Sequence, residues 1–544
     1  MSECRHAGLE AEHVKQRQFF WSCVILVATL GFFAGIRLPL LNLPLERDEG
    51  EYAYAGQMIL RGINPYLFCY TMKLPGTAAA YAFFMAILGQ TAAAIHFGLL
   101  LVNSTTTVVV YCLGRRLLGP LEGAAAAASF ALLSLDPSVL GMAAHATQFV
   151  LLPAMCGIWV LLRASESEAI ASFFISGFLF GLAFLMKQPG ILFSLFALFY
   201  LVQRQRDWRR VMLRTGAMLA GQALPFAATC VTMLKGGAFG RFWLWTIDYA
   251  RQYGSSVPLL AGPVYFARAF SDIVLSAPLI WLLALAGVKA VTWEPIRHTT
   301  AVFLRSFLLF SFMAVCPGLY FRPHYFVLLL PAVALLCAAA ISASRAKLMS
   351  SIRTRSWASA PIFFFLIGLA FSVGRRATLF FEQGPATISH SIYGNNAFVE
   401  TREIADYIRT HTESTDRIAV LGSEPEIYFY SSRSSATGYV YMNPLMEAQP
   451  YAHAMQKEMI AEIEASHPKY LVYVNTPGSW SRRPDSDTTL FSWLDTYTKR
   501  EYRVAGVIDI LSKGTEYHWD DAQSYQAHSP RNIIVFKIKP SADL

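Results

Sequence analysis

Long apolar runs are the feature of this sequence that most restricts its fold. A helix needs roughly 20 apolar residues to cross the hydrocarbon core of a bilayer, and about 11 runs approach that length. They lie at about 19–41, 92–113, 121–140, 145–163, 170–187, 189–203, 212–234, 266–290, 302–319, 324–343 and 358–374. Only 15% of the residues are charged, against roughly a quarter in soluble globular domains. The sequence therefore predicts a polytopic α-helical membrane protein.

The basic residues predict how these spans are oriented. The run 74–88 is shorter and begins with Pro75 and Gly76, so we interpret it as a helix lying at the membrane surface. The Lys and Arg residues between the remaining runs then fall on the same side as the basic N-terminus, which the positive-inside rule identifies as the cytoplasm. The run 19–41 is interpreted as an uncleaved first span. Segments 42–91, 136–145, 235–265 and everything after about 375 are predicted to face outward.

The last third of the chain changes character. Beyond residue 380 the long apolar runs stop, and short β-like segments alternate with helical patterns. Strands are predicted at 417–421, 439–442, 470–474, 504–510 and 532–538, with helices near 398–411, 447–465 and 488–500. We therefore expect two domains, a transmembrane domain over 1–374 and a soluble extracytoplasmic α/β domain over 380–544.

The outer loop 42–91 concentrates acidic residues directly after the first span. Asp48, Glu49 and Glu51 supply three carboxylates within four residues, and a helical pattern runs from Asp48 to Leu60. Asp48 and Glu51 have capping-box spacing, with Asp48 as N-cap. A cap needs only one carboxylate, however, and a helix start can also be a binding site. The pattern therefore predicts a capped surface helix and leaves a functional role open.

Three strings in the sequence are distinctive. The first lies in the first outer loop, begins Asp48-Glu49-Gly50-Glu51-Tyr52 and continues through residues 60–66 and the Lys73-Leu74-Pro75-Gly76 string; the others are residues 323–332 and 422–430. They resemble segments of family C glycosyltransferases, most closely the aminoarabinose-transferase and protein O-mannosyltransferase-like membrane enzymes, and the outer-loop string is the most diagnostic. Together with the span layout, the resemblance covers most of the chain.

The resemblance implies a sugar donor linked to a polyprenyl phosphate and a single displacement at the anomeric carbon. Asp48 matches the first acid of the family loop and would take the proton of the acceptor hydroxyl, or at least orient the acceptor. Glu49 would be a second acid, which either supports the site from behind or binds the acceptor. A leaving phosphate needs cations. Lys73 and Arg322 are the favoured pair, with Lys187 and His324 also at predicted outward ends. The alternative for each cation is snorkelling to the lipid headgroups, or capping of helix carbonyls by Lys187.

A pocket for the sugar or the acceptor is expected around Glu51, Tyr52, Tyr66, Asp136 and His145. The family often places a further acid at the start of the span that here reads His145-Ala146-Thr147-Gln148. Thr147 and Gln148 stand there instead, so Asp136 or His145 would have to substitute. Some rings of the aromatic segment 235–265 are expected to line this pocket, although an interfacial belt explains most of them.

No cofactor and no dedicated metal site are predicted, although Asp48, Glu49 and Glu51 could together hold a divalent cation. The eight cysteines are widely spaced, which argues against a disulfide framework or a zinc site.

The predicted function is transfer of a sugar from a polyprenyl-phosphate donor to an envelope lipid, glycan or protein, at the outer face of a prokaryotic plasma membrane. The alternatives are a transporter or flippase of lipid-linked sugars and a non-catalytic envelope assembly factor. A transporter should show ionisable residues within its spans and inverted repeats, whereas the acids here collect outside the spans. The sequence identifies neither the sugar nor the acceptor.

Overall fold

The computed structural model describes residues 2–540 apart from residues 206, 293–295, 351, 352, 354, 395, 520 and 521. Each of the predicted apolar runs is helical in it. The helices of this part of the chain are α1 Ser2–Arg37, α2 Arg47–Leu60, α3 Gly76–Leu88, α4 Ala92–Leu117, α5 Pro120–Leu133, α6 Ala146–Ser167, α7 Ile170–Met186, α8 Ile191–Arg204, α9 Trp208–Lys235, α10 Phe239–Trp243, α11 Ala250–Gly254, α12 Gly262–Ser276, α13 Pro278–Ala290, α14 His298–Val315, α15 Leu330–Met349 and α16 Ala360–Arg375.

Six helices within the described residues are long and apolar enough to cross a membrane. The run at 266–290 forms two helices, α12 and α13, bent by 108° at a short break before Pro278, and this pair would count as a seventh span. Helices α5, α7 and α16 are apolar but shorter than a full span. The predicted count of eleven is therefore not confirmed, because a hydropathy window does not detect where a helix bends or ends.

Helix α15 forms the centre of the helical bundle and packs against α5 and α13. Its residues from Leu330 to Ile341 are all buried, and many residues of this stretch are small, mostly alanines. Small residues allow helices to approach closely inside a membrane. Gly287 on α13 lies directly against the backbone of Leu336, where a β-carbon would clash.

The C-terminal part is a small α/β unit. Its helices are α17 Ala377–Phe381, α18 Pro385–Tyr393, α19 Glu400–Thr410, α20 Glu426–Ser431, α21 Asn443–Met446, α22 Ala452–Ser466, α23 Pro477–Trp480 and α24 Thr489–Glu501, and its strands are β1 Arg417–Leu421, β2 Ser434–Ser435, β3 Tyr470–Asn475, β4 Tyr502–Leu511, β5 Gly514–His518 and β6 Asn532–Ile538. The sheet order is β2-β1-β3-β6-β4-β5. Strand β1 pairs in parallel with β2 and β3, and the other pairs are antiparallel.

Two sequence-based assignments in this unit are wrong. Residues 439–442 do not form a strand but a buried irregular segment, in which the Tyr439 hydroxyl donates to Glu458 at 2.6 Å. A short apolar run looks the same in a strand and in a buried loop. The helix predicted at 447–465 begins later, at Ala452, after the separate short helix α21. The short strands β2 and β5 were not predicted.

The C-terminal unit is joined closely to helix α2. A β-carbon on Gly50 would lie 2.5 Å from the backbone nitrogen of Glu426 on α20, so only glycine fits this approach. The N–H of Ser435 donates to the Tyr54 hydroxyl at 2.8 Å, and Arg47 Nε donates to the Ser423 carbonyl at 2.8 Å. These contacts fix the outer loop that carries the acidic residues against the C-terminal unit.

Candidate active site

Helix α2 begins with a capping box, but not the predicted one. Glu46 is the N-cap: its side chain accepts from the N–H of Glu49 at 2.9 Å, while the Glu49 carboxylate accepts from the N–H of Glu46 at 3.1 Å. The prediction of Asp48 as N-cap is therefore wrong by two residues, because Glu46 and Asp48 both precede an acid by three positions. Asp48 is consequently free of capping and lies in the first turn.

A cavity of about 230 Å³ opens beside the start of α2. It is enclosed by α2, the segment around Lys73, the turn after α7, the segment from Trp245 to Gly254, the turn before α15 and residues 441–447 of the C-terminal unit. Of the predicted site residues, it brings together Asp48, Glu51, Tyr52, Lys73, Lys187, Arg322 and His324.

Lys73 occupies the centre of the charged groups. Its ammonium lies 2.8 Å from Asp48 Oδ1 and 2.5 Å from Glu51 Oε2, and 4.4 Å from the centre of the Tyr52 ring. Burial alone would lower the pKa of Lys73, but the two carboxylates outweigh it and hold the pKa well above its usual value. The Lys73 ammonium thus neutralises Asp48 and Glu51. It occupies the position in which a divalent ion was expected beside Asp48, Glu49 and Glu51.

The same contacts determine the protonation state of the Asp48 carboxylate. Burial alone would raise its pKa, but the nearby charges of Lys73 and His145 hold it well below the usual range. Asp48 is therefore ionised, and it is a weak base while Lys73 remains bound to it.

Two further cations line the cavity without a carboxylate partner among the described residues. The ammonium of Lys187 lies 4.3 Å from the centre of the Tyr325 ring, and Arg322 donates to the Tyr253 hydroxyl at 3.3 Å. Burial, together with the charges of Lys73 and Arg322, lowers the pKa of Lys187 to about 7. A cation desolvated in this way gains stability when an anion binds beside it.

His145 stands behind Asp48, at the N-cap of α6. Its Nδ1 lies 3.6 Å from Asp48 Oδ2 and 3.7 Å from Glu46 Oε1, and its ring stacks on that of His324 with centroids 4.2 Å apart. Burial lowers the pKa of His145, but the carboxylates of Glu46 and Asp48 outweigh it and leave the pKa raised. Asp48, His145 and His324 each present a ligand atom within 4.8 Å of the others.

Four predicted site residues do not line this cavity: Glu49, Tyr66, Asp136 and His145, the last of which lies behind Asp48. Glu49 is 1% exposed and points away from it, accepting from His96 Nε2 at 3.0 Å and from the N–H of Ala144 at 2.6 Å. The hydroxyl of Tyr66 donates to the carbonyl of Lys73 at 2.7 Å and so supports the loop. Asp136 pairs with Arg376 at 3.2 Å, outside the cavity lining. At the position of the further family acid, Thr147 and Gln148 are buried.

Sequence reasoning missed the residues that the C-terminal unit contributes. Tyr441 lies with its ring centre 5.5 Å from the Lys73 ammonium, and Glu447 accepts from the Tyr249 hydroxyl at 2.7 Å. Nothing in the local sequence marks either one, because their role depends on how the unit docks. Glu46, by contrast, could have been identified from the sequence, because it is a fourth carboxylate in the same acidic loop.

Two of three comparisons with known proteins find matches to this chain. The family model described as dolichyl-phosphate-mannose-protein mannosyltransferase matches residues 73–233. No curated protein matches the chain.

Solved structures share the fold over nearly the whole chain. The apo structure of ArnT from Cupriavidus metallidurans has a TM-score of 0.59 at 17% identity and covers 94% of this chain and 97% of its own. ArnT from the same organism bound to undecaprenyl phosphate has a TM-score of 0.56 at 16% identity, with 95% and 98% covered. The oligosaccharyltransferase AglB from Archaeoglobus fulgidus, in complex with an inhibitory peptide and a dolichol-phosphate, has a TM-score of 0.55 at 13% identity, with 94% and 75% covered.

The family model and these structures agree on one type of protein. The chain is a multi-pass membrane protein with the ArnT and AglB fold. Its resemblance to family C membrane glycosyltransferases of the protein O-mannosyltransferase and aminoarabinose-transferase type is thereby confirmed.

Proposed function

We propose that this protein is an inverting glycosyltransferase that moves a sugar from a polyprenyl-phosphate donor to a hydroxyl of an envelope lipid, glycan or protein. The observation that carries the proposal is one cavity that contains the Asp48 carboxylate together with Lys73, Lys187 and Arg322. A carboxylate can take the proton of an acceptor, and cations stabilise the charge on a leaving phosphate. Structures of the same fold bound to undecaprenyl phosphate and dolichol-phosphate support a lipid-linked donor.

The proposed step is a single displacement. The acceptor oxygen bonds to the anomeric carbon while the bond from that carbon to the phosphate oxygen breaks. The electron pair of that bond leaves with the lipid phosphate, and Asp48 receives the acceptor proton. Because one displacement reverses the configuration of the attacked carbon, the product is inverted.

Lys73 couples donor binding to the base. In the structure it holds Asp48 and Glu51, which keeps the pKa of Asp48 low. A donor phosphate competes with these carboxylates for the ammonium of Lys73. When Lys73 turns towards the phosphate, Asp48 loses its nearest cation and becomes a stronger base. The base is thus activated only when a donor is bound.

The lowered pKa of Lys187 predicts how donor affinity depends on pH. Its pKa is about 7 in the free protein, and a bound phosphate raises it towards its usual value. At pH values between the pKa of Lys187 in the free protein and its pKa in the complex, binding of the phosphate is accompanied by uptake of a proton at Lys187. The affinity for the phosphate therefore falls as the pH rises, by up to about tenfold per pH unit. We expect the dissociation constant of undecaprenyl phosphate to increase from pH 7 to pH 9. The Lys187→Arg variant stays charged over this range, so its dissociation constant should change with pH only through the ionisation of the ligand. An equal dependence of the dissociation constant on pH in the wild type and in Lys187→Arg would exclude this role of Lys187.

Asp48, His145 and His324 are the described residues best placed to hold a divalent ion. Two imidazoles and a carboxylate are a ligand set that zinc accepts. Both ring nitrogens of His145 are buried without a hydrogen-bond partner in the described structure, so the residues fit an ion. Bound there, an ion would weaken Asp48 as a base, and it would offset this by lowering the pKa of an acceptor hydroxyl beside it.

We expect purified protein to retain about one divalent ion per chain when analysed by mass spectrometry of its metal content, and His145→Ala and His324→Ala to lose it. The exposed His453, which pairs with Asp487 far from this cluster along the chain, provides the matched control His453→Ala. A wild-type protein with no more metal than the two variants would show that the trio is a hydrogen-bonding group and not a metal site.

We propose a division of the chain into two domains that fits this activity. Residues 1–374 form the transmembrane glycosyltransferase domain with its catalytic loop at 42–91, and residues 380–544 form an extracytoplasmic domain. In the proposed orientation the N-terminus is cytoplasmic and the cavity faces outward from a prokaryotic plasma membrane. Because Tyr441, Asn443 and Glu447 line the cavity, we propose that the C-terminal domain takes part in selecting the acceptor.

The decisive experiment is mass spectrometry of the lipids, glycans and proteins of the envelope, in a deletion strain and in the same strain carrying the wild-type gene. We expect one envelope component to lose one sugar in the deletion strain and to regain it with the wild-type gene. An identical set of glycosylated components in both strains would contradict the proposed activity.

A further inference from the structure

His96 on helix α4 makes two hydrogen bonds that fix its ring from both sides. It is 4% exposed, with Nδ1 at 2.8 Å from the carbonyl oxygen of Leu41 and Nε2 at 3.0 Å from Glu49 Oε1. The carbonyl oxygen of Leu41 can only accept, so Nδ1 donates to it, and Nε2 bonds to the carboxylate of Glu49. His96 thus joins the segment after α1 to the first turn of α2.

Glu49 connects His96 to the backbone that immediately precedes His145. The oxygen that accepts from His96 also accepts from the N–H of Ala144 at 2.6 Å, while the other oxygen accepts from the N–H of Glu46. Ala144 immediately precedes His145, the residue whose ring faces Asp48 and stacks on His324. The carboxylate of Glu49 thus links the buried His96 to the backbone that carries His145.

We propose that His96 is a positioning residue: by holding the Glu49 carboxylate in place, it fixes the Ala144–His145 backbone and so the distance between His145 and Asp48. This inference rests on the proposed function, because that distance matters only if Asp48 takes part in the reaction. Of the two roles expected for Glu49, its contacts with His96 and Ala144 favour the acid that supports the site from behind over the acid that binds the acceptor. A displacement of about 1 Å at a reacting group can cost on the order of a hundredfold in rate.

The two hydrogen bonds of His96 can be separated by a matched pair of substitutions. A glutamine amide nitrogen can replace Nε2 and keep the bond to Glu49, whereas an asparagine amide nitrogen can replace Nδ1 and keep only the bond to Leu41. We expect His96→Gln to retain kcat within about threefold and His96→Asn to lower kcat by about tenfold to a hundredfold. The KM for the donor should stay within about twofold in both, since no donor-binding cation is touched.

If His96 only packed against its neighbours, the activities of the two variants would follow another pattern. The two variants would then lose activity equally, or in parallel with their thermal stability, and this would overturn the inference. The Glu49→Ala background supplies a second test that does not depend on the stability of one variant. Because no side-chain acceptor for His96 and Ala144 remains there, the difference in kcat between His96→Gln and His96→Asn should disappear, and a difference that persists would also overturn the inference.

The failure of the proposed function is a separate outcome. If wild-type protein bound no undecaprenyl phosphate and transferred no sugar, the proposed activity would be wrong whatever the His96 variants did. If the wild type transferred sugar and both His96 variants matched it, only the positioning role would be wrong.

Discussion

Replacing Asp48 with asparagine is expected to lower kcat by about a hundredfold to ten-thousandfold. The asparagine amide could not take a proton, and a positioned general base contributes on the order of 10² to 10⁴ to the rate. Binding of undecaprenyl phosphate should be retained, because Lys73 keeps its contact with Glu51 and loses a carboxylate that competes for it. The measurement is transfer to the envelope component found in the deletion strain, together with the dissociation constant of the lipid phosphate.

Asp248 provides a matched control for this substitution. It is exposed in the segment between α10 and α11, so Asp248→Asn makes the same chemical change without touching the cavity and should leave transfer unchanged. If Asp48→Asn protein transferred sugar at the wild-type rate, Asp48 would not be the base. If the variant restored the envelope of the deletion strain without any measurable transfer, a non-catalytic assembly role would be the better account.

Replacing Lys73 with glutamine is expected to damage both stability and transfer. The substitution leaves the carboxylates of Asp48 and Glu51 facing each other without their cation, and Glu51 is almost fully buried. Breaking a buried ion pair in this way costs about 3–5 kcal/mol of stability. Since the donor phosphate also loses a partner, kcat/KM should fall by about a hundredfold or more. Thermal unfolding and transfer kinetics measure the two effects separately.

A second substitution separates the two roles of Lys73. In Lys73→Gln with Glu51→Gln, the uncompensated charge of Glu51 is removed, so most of the stability should return while transfer stays low. The exposed Lys235 at the end of α9 gives the control Lys235→Gln, which should change neither property. If the double variant recovered transfer together with stability, Lys73 would be a structural cation only.

Much of the fold could be predicted because its signals are local. The apolar runs formed helices, and the β-like segments at 417–421, 470–474, 504–510 and 532–538 formed the main strands of the sheet. The bend between α12 and α13 was not predictable, since it depends on packing rather than on hydropathy. The segment 439–442 was misassigned because its burial comes from tertiary contacts such as that of Tyr439 with Glu458.

The candidate site was predictable where charge was unusual for its place in the chain. Lys73, Lys187 and Arg322 stood out as cations at the outward ends of apolar runs, and the structure brings all three to one cavity. His96 gave no such signal, because a single histidine in an apolar helix looks the same whether it packs or positions a carboxylate. Tyr441 and Glu447 could not be found from the sequence either, because only the docking of the C-terminal domain brings them to the cavity.

The contact at Gly50 has a consequence for the engineering of this protein. A boundary drawn near residue 380 suggests that the C-terminal domain can be exchanged for that of a relative to change the acceptor. Gly50 on α2 and Glu426 on α20 touch backbone to backbone, however, so a foreign domain with a different surface there would push helix α2 out of place. A chimera that transfers α2 and the C-terminal domain together should keep its activity, whereas one that transfers the domain alone should lose it.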